Sequence, residues 1–177
     1  NDEEFSKVNF EKISSLKPAF SPDGTVTAAN ASTISDGAAA IIVASEDCLK
    51  KYNLTPIARI VSFSDASQDP EWFTTTPAKA ANLALKKAGL SVNDIDFYEI
   101  NEAFAVVALA FLNELKIPVE KTNVHGGAIA LGHPLGASGA RIICTLTHIL
   151  HQYSGKFGMA TLCNGGGGAS AIILEKL

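Results

Sequence analysis

Three side chains that can do chemistry stand at well-separated positions of the sequence: Asn101, His133 and Cys163. A histidine beside a thiol suits proton transfer or nucleophilic catalysis, because imidazole titrates near neutral pH and a thiolate is reactive. A lone His133 would more often be a satisfied histidine at the entry to a helix. The presence of Asn101 and Cys163 favours a shared catalytic site instead.

His133 lies in a glycine-rich stretch, residues 123–141, in which five of nineteen residues are glycine. Glycine has no Cβ, so it lets a backbone come close to another group. The apolar residues 128–131 precede His133, and Pro134 follows it directly. We interpret this stretch as a catalytic loop that holds an imidazole at the tip of a turn.

Cys163 ends an apolar run and precedes Asn164 and four glycines, Gly165 to Gly168. Exposed N–H groups of such a turn can form a concavity that favours anions, which predicts a thiolate at Cys163. Cys48 and Cys144 are better interpreted as small apolar residues. The sequence has no Cys-x-x-Cys or His-x-x-x-His spacing for zinc, and neither glycine run leads to a Walker-type Gly-Lys-Ser/Thr.

The pattern of apolar residues predicts alternating strands and helices. Strands are expected over residues 38–45, 58–63, 94–100, 157–163 and 169–174, and helices over 46–52, 77–88, 102–115 and 138–153. This order predicts an α/β layered fold with a mixed sheet. Functional groups of such sheets collect at the carboxyl ends of strands, where Asn101, the His133 loop and Cys163 are expected.

Composition excludes several classes of protein. The chain of 177 residues has a net charge of −4 and no basic cluster, which argues against a nucleic-acid partner. No apolar run approaches the ~20 residues of a membrane span, and no targeting segment is recognisable. Three widely spaced cysteines fit a reducing compartment. The sequence starts with Asn1 and its single methionine is Met159, so we expect it to be part of a longer protein.

Three motifs resemble the carboxyl-half motifs of the thiolases, in the same order and with similar spacing. They are Asn-Glu-Ala-Phe at 101–104, the glycine-rich segment 126–139 and Cys-Asn-Gly-Gly-Gly-Gly at 163–168. Within the family the chain is most similar to the biosynthetic acetyl-CoA acetyltransferases, particularly over residues 25–32 and 164–168. The resemblance implies a reversible Claisen condensation of two acetyl-CoA to acetoacetyl-CoA and CoA.

The resemblance also implies a role for each site residue. His133 would take the proton of a nucleophilic cysteine and help to hold a thioester oxygen. Cys163 would be the acid/base that removes or returns the α-proton of the second acetyl-CoA. Asn101 would hold a water that completes one oxyanion hole, and the Gly165 N–H would contribute to the second.

Further positions match family residues that bind substrate or ions. Ser32 matches a contact with the pantetheine arm, Phe73 faces the acyl pocket, and Ala103 and Phe104 belong to the motif at the coenzyme A site. The segment along the nucleotide end would include Lys7, Val8, Asn9 and Lys12, although related sequences often have Arg at position 7, which forks and stacks where Lys cannot. No cofactor is required, but one thiolase subgroup coordinates potassium through backbone carbonyls at positions matching Ala28, Ala29, Ala31 and Ile129.

The resemblance implies a two-half fold of which this chain holds the carboxyl-terminal half, with a mixed five-stranded sheet covered by helices. Residues 1–33 would be the tail of a loop domain that binds coenzyme A, 34–54 the last strand and helix of the amino-terminal half, and 55–177 the carboxyl-terminal domain. No segment matches the motif of the nucleophilic cysteine. We therefore expect the chain alone to be inactive and poorly soluble, with the missing amino-terminal half as its partner.

Some alternatives stay open at this point. Thiolases are dimers or tetramers, so a homo-oligomer is expected. Degradative 3-ketoacyl-CoA thiolases and a non-catalytic acyl-CoA-binding module remain rival functions. The cytoplasm is the expected compartment, with the mitochondrion as the alternative.

Overall fold

Four strands form one mixed sheet in this computed structural model, which describes residues 5–177. They are β1 (Ala58–Ser67), β2 (Phe97–Ile100), β3 (Phe157–Cys163) and β4 (Gly168–Lys176), in the order β1–β4–β3–β2. β4 runs antiparallel to both β1 and β3, whereas β2 runs parallel to β3. The predicted α/β fold with a mixed sheet and a closing hairpin is confirmed.

The predicted count of five strands is wrong by one. Beside the free edge of β2, the chain makes a single bridge between Tyr98 and Thr122. The next residue, Asn123, has φ 47°, which turns the backbone away from an extended path. A fifth strand therefore reduces to one residue.

The strand predicted over residues 38–45 is also wrong for this chain. These residues have no regular secondary structure, and Ile42 and Val43 are 94% and 73% exposed. No strand edge among the described residues reaches this segment, so its backbone groups have no ladder to join.

Helices cover both faces of the sheet. The main ones are α2 (Thr76–Ala88), α3 (Ala105–Leu115) and α5 (Ser138–Gln152), and the short ones are α1 (Glu46–Tyr52) and α4 (Ala128–Leu131). α2 has proline in its first turn and ends at Gly89 with φ 67°, as the sequence predicts. α3 begins three residues later than predicted, because Phe104 is extended and bridges to Ala31.

Two apolar clusters form the core, one on each face of the sheet. Tyr98, Ile100 and Phe111 belong to the cluster beneath α2 and α3. The second cluster lies beneath α5 and includes Leu146, Leu150 and Ala160, with Phe97 packed against it. β2 therefore alternates, and its residues 97 and 99 face α5. Its last residue, Ile100, delivers Asn101 to the carboxyl edge.

The first third of the chain is built differently. Two 3₁₀ helices, Phe5–Lys7 and Phe10–Ser15, precede an extended path to α1, whose N-cap is Ser45 as predicted. No residue from 6 to 57 is buried. Residues 1–4 of the proposed loop-domain tail lie outside the described residues. None of the helices described between residues 5 and 177 has the length and apolar character to cross a membrane.

Candidate active site

The His133 ring is held from both of its nitrogens. Nδ1 lies 2.6 Å from Ser138 Oγ, which donates its own proton to the Pro134 carbonyl at 3.1 Å. Ser138 must then accept from Nδ1–H, because its single proton is already used. Nε2 is left as an acceptor, 3.2 Å from Asn101 Nδ2. Ser138 is not among the site residues predicted from the sequence, although it stands five residues after His133 in the same motif.

His133 is suited to be a neutral base. His133 is only 9% exposed. Burial lowers the pKa of its imidazole, and the charge of Arg141 lowers that pKa further. Both effects disfavour the imidazolium. The ring therefore presents a lone pair on Nε2 at neutral pH.

Asn101 continues the line of β2 and binds its neighbouring strand. Its backbone N–H donates to the Thr161 carbonyl on β3 at 3.0 Å, and its side chain is fully buried. The amide Nδ2 is used on His133, whereas Oδ1 has no hydrogen-bond partner among the described residues. A buried carbonyl oxygen of this kind has an unused acceptor for a water or a substrate.

Glu102 fastens the glycine-rich stretch to the end of β2. Its carboxylate accepts from Asn123 Nδ2 at 2.7 Å and from the Ile129 N–H at 3.2 Å. Asn123 in turn bonds both backbone groups of Ile100. A Cβ on Gly127 would overlap the Glu102 carboxyl group, so a larger residue there would push this carboxylate away from its hydrogen bonds. No function is predicted from the sequence for Glu102 or Asn123, although Glu102 lies in the motif 101–104 and Asn123 in the glycine-rich stretch 123–141.

Cys163 is placed as predicted, but its surroundings differ from the prediction. It ends β3 opposite Ala169 and packs against the larger core cluster. Burial raises the pKa of its thiol, which a backbone hydrogen bond only partly offsets. The Asn164 side-chain oxygen accepts hydrogen bonds from the N–H groups of Gly166 and Gly168, both at 3.1 Å. These N–H groups of the turn therefore bind an amide oxygen and not a thiolate. The predicted resting thiolate is therefore wrong.

The Gly165 N–H is different from its neighbours, because it makes no hydrogen bond to any residue that the structure describes. It is exposed at the end of β3. Asn101 follows β2 at the same edge, since the two strands are parallel and Asn101 bonds Thr161, two residues before Cys163. The amide, the thiol and the Gly165 N–H thus share one edge of the sheet.

Residues 31–35 join this edge to the rest of the chain. Ser32 donates from its backbone and its hydroxyl to the Ala103 carbonyl, both at 3.0 Å. The Thr33 carbonyl accepts from the His133 N–H at 2.8 Å. The segment therefore brings Ser32 and Ala103 beside the histidine.

Phe104 stands at the centre of a small aromatic group. Its ring meets Phe20 edge-to-face at 5.7 Å and Phe73 at 6.2 Å between centroids. Phe20 is absent from the sequence-based site, and its neighbourhood gives no motif that would have indicated it. Phe20 is nonetheless 75% exposed, so this group is open on one side.

The remaining sequence-based residues lie further out. Val8, Asn9 and Lys12 are exposed in the amino-terminal 3₁₀ region, as is Lys7. Asn9 caps the second 3₁₀ helix by accepting from the Glu11 N–H. Ala28 and Ala29 form a turn next to Ala31, and Ile129 lies in α4. No cluster of three or more His, Cys, Asp or Glu that could bind a metal occurs in residues 5–177.

Comparison with known proteins agrees with this geometry. The family described as thiolase, C-terminal domain, matches residues 54–176, and thiolase, N-terminal domain, matches residues 1–47. A cytosolic acetyl-CoA acetyltransferase of Gibberella zeae is 51% identical, covering 99% of this chain and 44% of its own. The mitochondrial acetyl-CoA acetyltransferase of Homo sapiens is 51% identical over 99% of this chain and 41% of its own.

A solved structure shows the same fold. Human mitochondrial 3-ketoacyl-CoA thiolase in complex with CoA superposes with a TM-score of 0.89 and 47% identity, over 97% of this chain and 43% of that one. This chain therefore spans less than half the length of the relatives it matches. Because the carboxyl-terminal domain family covers most of its residues, the chain belongs to the thiolase family.

Proposed function

We propose that this chain is the carboxyl-terminal part of an acetyl-CoA C-acetyltransferase, which condenses two acetyl-CoA to acetoacetyl-CoA and CoA and also runs in reverse. The observation that carries the proposal is the buried Asn101–His133 couple at the sheet edge that also holds Cys163. The acetyl-CoA acetyltransferase names of the relatives support the substrate.

In the first half-reaction, a cysteine from an amino-terminal thiolase half attacks the thioester of the first acetyl-CoA. The acetyl group passes to its sulfur, and CoA leaves as a thiolate that takes the proton of the Cys163 thiol, which leaves Cys163 as a thiolate. His133 takes the thiol proton on Nε2, because Ser138 holds Nδ1–H and the lone pair therefore lies on Nε2. At rest this lone pair accepts from Asn101 Nδ2, so the thiol replaces that contact. The unused Asn101 Oδ1 holds a water that donates to the thioester oxygen. A donor placed in advance for such an oxyanion is typically worth about 3 kcal/mol.

In the second half-reaction, the Cys163 thiolate removes the α-proton of the second acetyl-CoA, and the carbanion attacks the acetyl group on the nucleophile. The bond between that acetyl group and the nucleophilic sulfur breaks, and the released cysteine thiolate takes back its proton from His133. Burial raises the pKa of the thiol, so its thiolate, once formed, is a stronger base than an exposed one. The unpaired Gly165 N–H donates to the developing oxyanion. In the thiolytic direction, Cys163 returns the proton.

For coenzyme A, we propose that Ser32 and Ala103 line the pantetheine arm, with Phe73 and Phe104 at the acyl end. Lys7, Val8, Asn9 and Lys12 would follow the nucleotide. A structural relative whose title states a complex with CoA supports this class of ligand. The potassium site at the carbonyls of Ala28, Ala29, Ala31 and Ile129 stays a prediction, tested by comparing activity in potassium and sodium salts.

We further propose that a second thiolase half covers the exposed segment 38–45 and supplies the nucleophile. In this arrangement residues 1–33 end a loop domain, 34–54 complete the amino-terminal half and 55–177 form the carboxyl-terminal domain. The active enzyme would be a dimer or tetramer. Cytoplasm remains our proposed compartment, although cytosolic and mitochondrial relatives are equally identical to the chain.

The test joins this chain to the amino-terminal half of an acetyl-CoA acetyltransferase relative. We expect condensation of acetyl-CoA, and thiolysis of acetoacetyl-CoA faster than that of a long-chain 3-ketoacyl-CoA. The reverse preference would favour the degradative thiolase, and acyl-CoA binding without either reaction would favour the non-catalytic module.

Cys163→Ala tests the assigned role in that joined protein. It should still permit acetyl transfer to the nucleophile, measured as release of one CoA, while condensation falls by at least about a thousandfold, as expected for loss of an acid/base group. Cys48→Ala on the exposed helix α1 is the matched control. Survival of both partial reactions in Cys163→Ala would refute the role.

A further inference from the structure

The glycine turn at residues 164–168 is fastened to the rest of the fold through Gly167. Gly167 is buried, whereas Gly165, two positions earlier, is exposed. The Gly167 carbonyl accepts one hydrogen bond from the Gln68 N–H at 3.0 Å and another from the Thr76 hydroxyl at 3.0 Å. A carbonyl oxygen has two lone pairs, so both of its acceptor sites are used.

A buried hydroxyl on helix α2 supplies the second of these hydrogen bonds. Thr76 is the first residue of α2 and has 0% exposure. A hydroxyl at the start of a helix commonly accepts from the N–H groups of the first turn, but α2 has no side-chain cap of this kind. Thr76 Oγ1 donates to Gly167 instead, with a longer contact of 3.4 Å to the Trp72 carbonyl. Its single proton therefore joins α2 to a turn that is ninety-one positions away in the sequence.

Backbone contact holds the other side of the turn at the end of β1. Gly167 has φ 88°, and a Cβ there would overlap the Gln68 carbonyl oxygen. The Gln68 N–H extends the ladder between β1 and β4 by one hydrogen bond. In the part of the chain that the structure describes, Thr76 is the only side chain that donates to the Gly167 carbonyl. A substitution at Thr76 can therefore release the carbonyl on one side without removing the backbone contact.

We propose that Thr76 is a positioning residue for the second oxyanion hole, because its hydroxyl fixes the Gly167 carbonyl and thereby the direction of the Gly165 N–H. This inference rests on the proposed function, in which that N–H donates to the developing oxyanion. The Gly165 N–H makes no hydrogen bond of its own to a described residue, so its direction depends on how the turn is held. A donor of this kind stabilises an oxyanion when it is aimed in advance at the place where the charge develops.

Thr76→Val tests the proposal, because valine has nearly the shape of threonine and lacks the hydroxyl proton. In the chain joined to an amino-terminal thiolase half, the kcat of condensation should fall about ten- to a hundredfold, as expected for a displaced donor, while KM changes less than about twofold. Release of CoA in the first half-reaction should stay unchanged, since that step uses the water held by Asn101. Thr76→Ser keeps the hydroxyl and should restore condensation.

Thr147→Val is the matched control. Thr147 is 8% exposed, and its hydroxyl donates to the Ile143 carbonyl at 2.8 Å within α5, which covers the opposite face of the sheet from α2. This variant loses a buried hydrogen bond of the same kind, so it should lose a similar amount of stability but leave condensation unchanged. Unchanged condensation in Thr76→Val, or an equal loss in both variants, would overturn the proposal.

A second measurement does not depend on turnover. In joined protein labelled with ¹⁵N-glycine, the amide signal of Gly165 is assigned by its loss in Gly165→Ala. This signal should move in Thr76→Val and stay in place in Thr147→Val. If Thr76→Val does not fold, Thr76→Ala replaces it, with the same expected results. A Gly165 signal that stays in place in the folded Thr76 variant would overturn the proposal.

Together the kinetic and NMR measurements separate this inference from the proposed function. A moved Gly165 signal in a joined protein without condensation activity would reject the proposed function and leave the positioning of this N–H by Thr76 standing. Normal condensation by the parent protein, with an unmoved signal in Thr76→Val, would reject this inference alone.

Discussion

The strand β3 (Phe157–Cys163) and residues 38–45 are apolar runs of similar length with different outcomes. β3 lies between β2 and β4, with Met159 and Ala160 at 0% and 2% exposure. Residues 38–45 are equally rich in apolar side chains, yet Ile42 is 94% exposed and the segment has no secondary structure. A strand requires partners on its edges, and apolar composition alone does not supply them.

The same contrast extends to the whole chain. The buried residues all lie beyond position 57, where the sheet and its helices enclose two clusters. Residues 6–57 contain none, although they carry Val8, Phe10, Ile34 and Ile42. One region provides its own apolar partners, and the other leaves its apolar side chains exposed.

Removing a large core side chain should have the greatest effect on stability. Phe111 is 1% exposed and meets Tyr98 edge-to-face at 6.0 Å, so Phe111→Ala should lower the free energy of unfolding by about 3–5 kcal/mol. Phe10→Ala is the control, because Phe10 is 81% exposed. Urea unfolding followed by circular dichroism measures both. Equal effects in the two variants would remove the contrast between the regions.

The second-largest effect on stability is expected at a glycine that is closely surrounded by backbone atoms. Gly167 has φ 88°, and a Cβ there would overlap the Gln68 carbonyl oxygen. Gly167→Ala should therefore cost about 3 kcal/mol of unfolding free energy through strain and overpacking. Gly166→Ala, where a Cβ would meet only Asn164 Oδ1 at 3.4 Å, serves as the control. Thermal unfolding measures both variants. Equal melting temperatures for Gly167→Ala and Gly166→Ala would contradict the prediction.

The smallest effect should come from the exposed segment. Ile42→Ser should change the unfolding free energy of this chain by less than about 0.5 kcal/mol, whereas Ile142→Ser in the core should cost more than about 2 kcal/mol. The soluble fraction should rise in Ile42→Ser, since an apolar surface is removed. In the chain joined to an amino-terminal half, Ile42→Ser should become destabilising. A neutral result there would argue against a partner on this segment.

Local rules predicted much of the fold from particular residues. Pro77 and Gly89 bracket α2, Ser45 caps α1, and the apolar run 157–163 becomes β3. They failed where long-range contacts decide. α3 begins late because Phe104 bridges to Ala31, seventy-three positions away. The run 38–45 forms no strand because no strand edge among the described residues pairs with it.

For the site, residue type and motif pointed to Asn101, His133 and Cys163. The strand pattern also predicted that Asn101 and Cys163 lie at the edge of the sheet. The protonation states did not follow. Cys163 is half-buried, which raises the pKa of its thiol, and the Asn164 side chain occupies its glycine turn, so the structure favours the thiol over the predicted thiolate.

The sequence by itself indicated most of the helices and strands, the family that the motifs resemble and three side chains as candidates for the chemistry, because capping, periodicity and motif spacing are local properties. Only the tertiary structure decided that Ser138 binds the His133 ring at Nδ1, that Glu102 locks the glycine-rich stretch, and that Asn101 Oδ1 lies buried without a hydrogen-bond partner among the described residues. Hydrogen bonds and buried charges join residues far apart in the chain, and their energies depend on desolvation that exists only after folding.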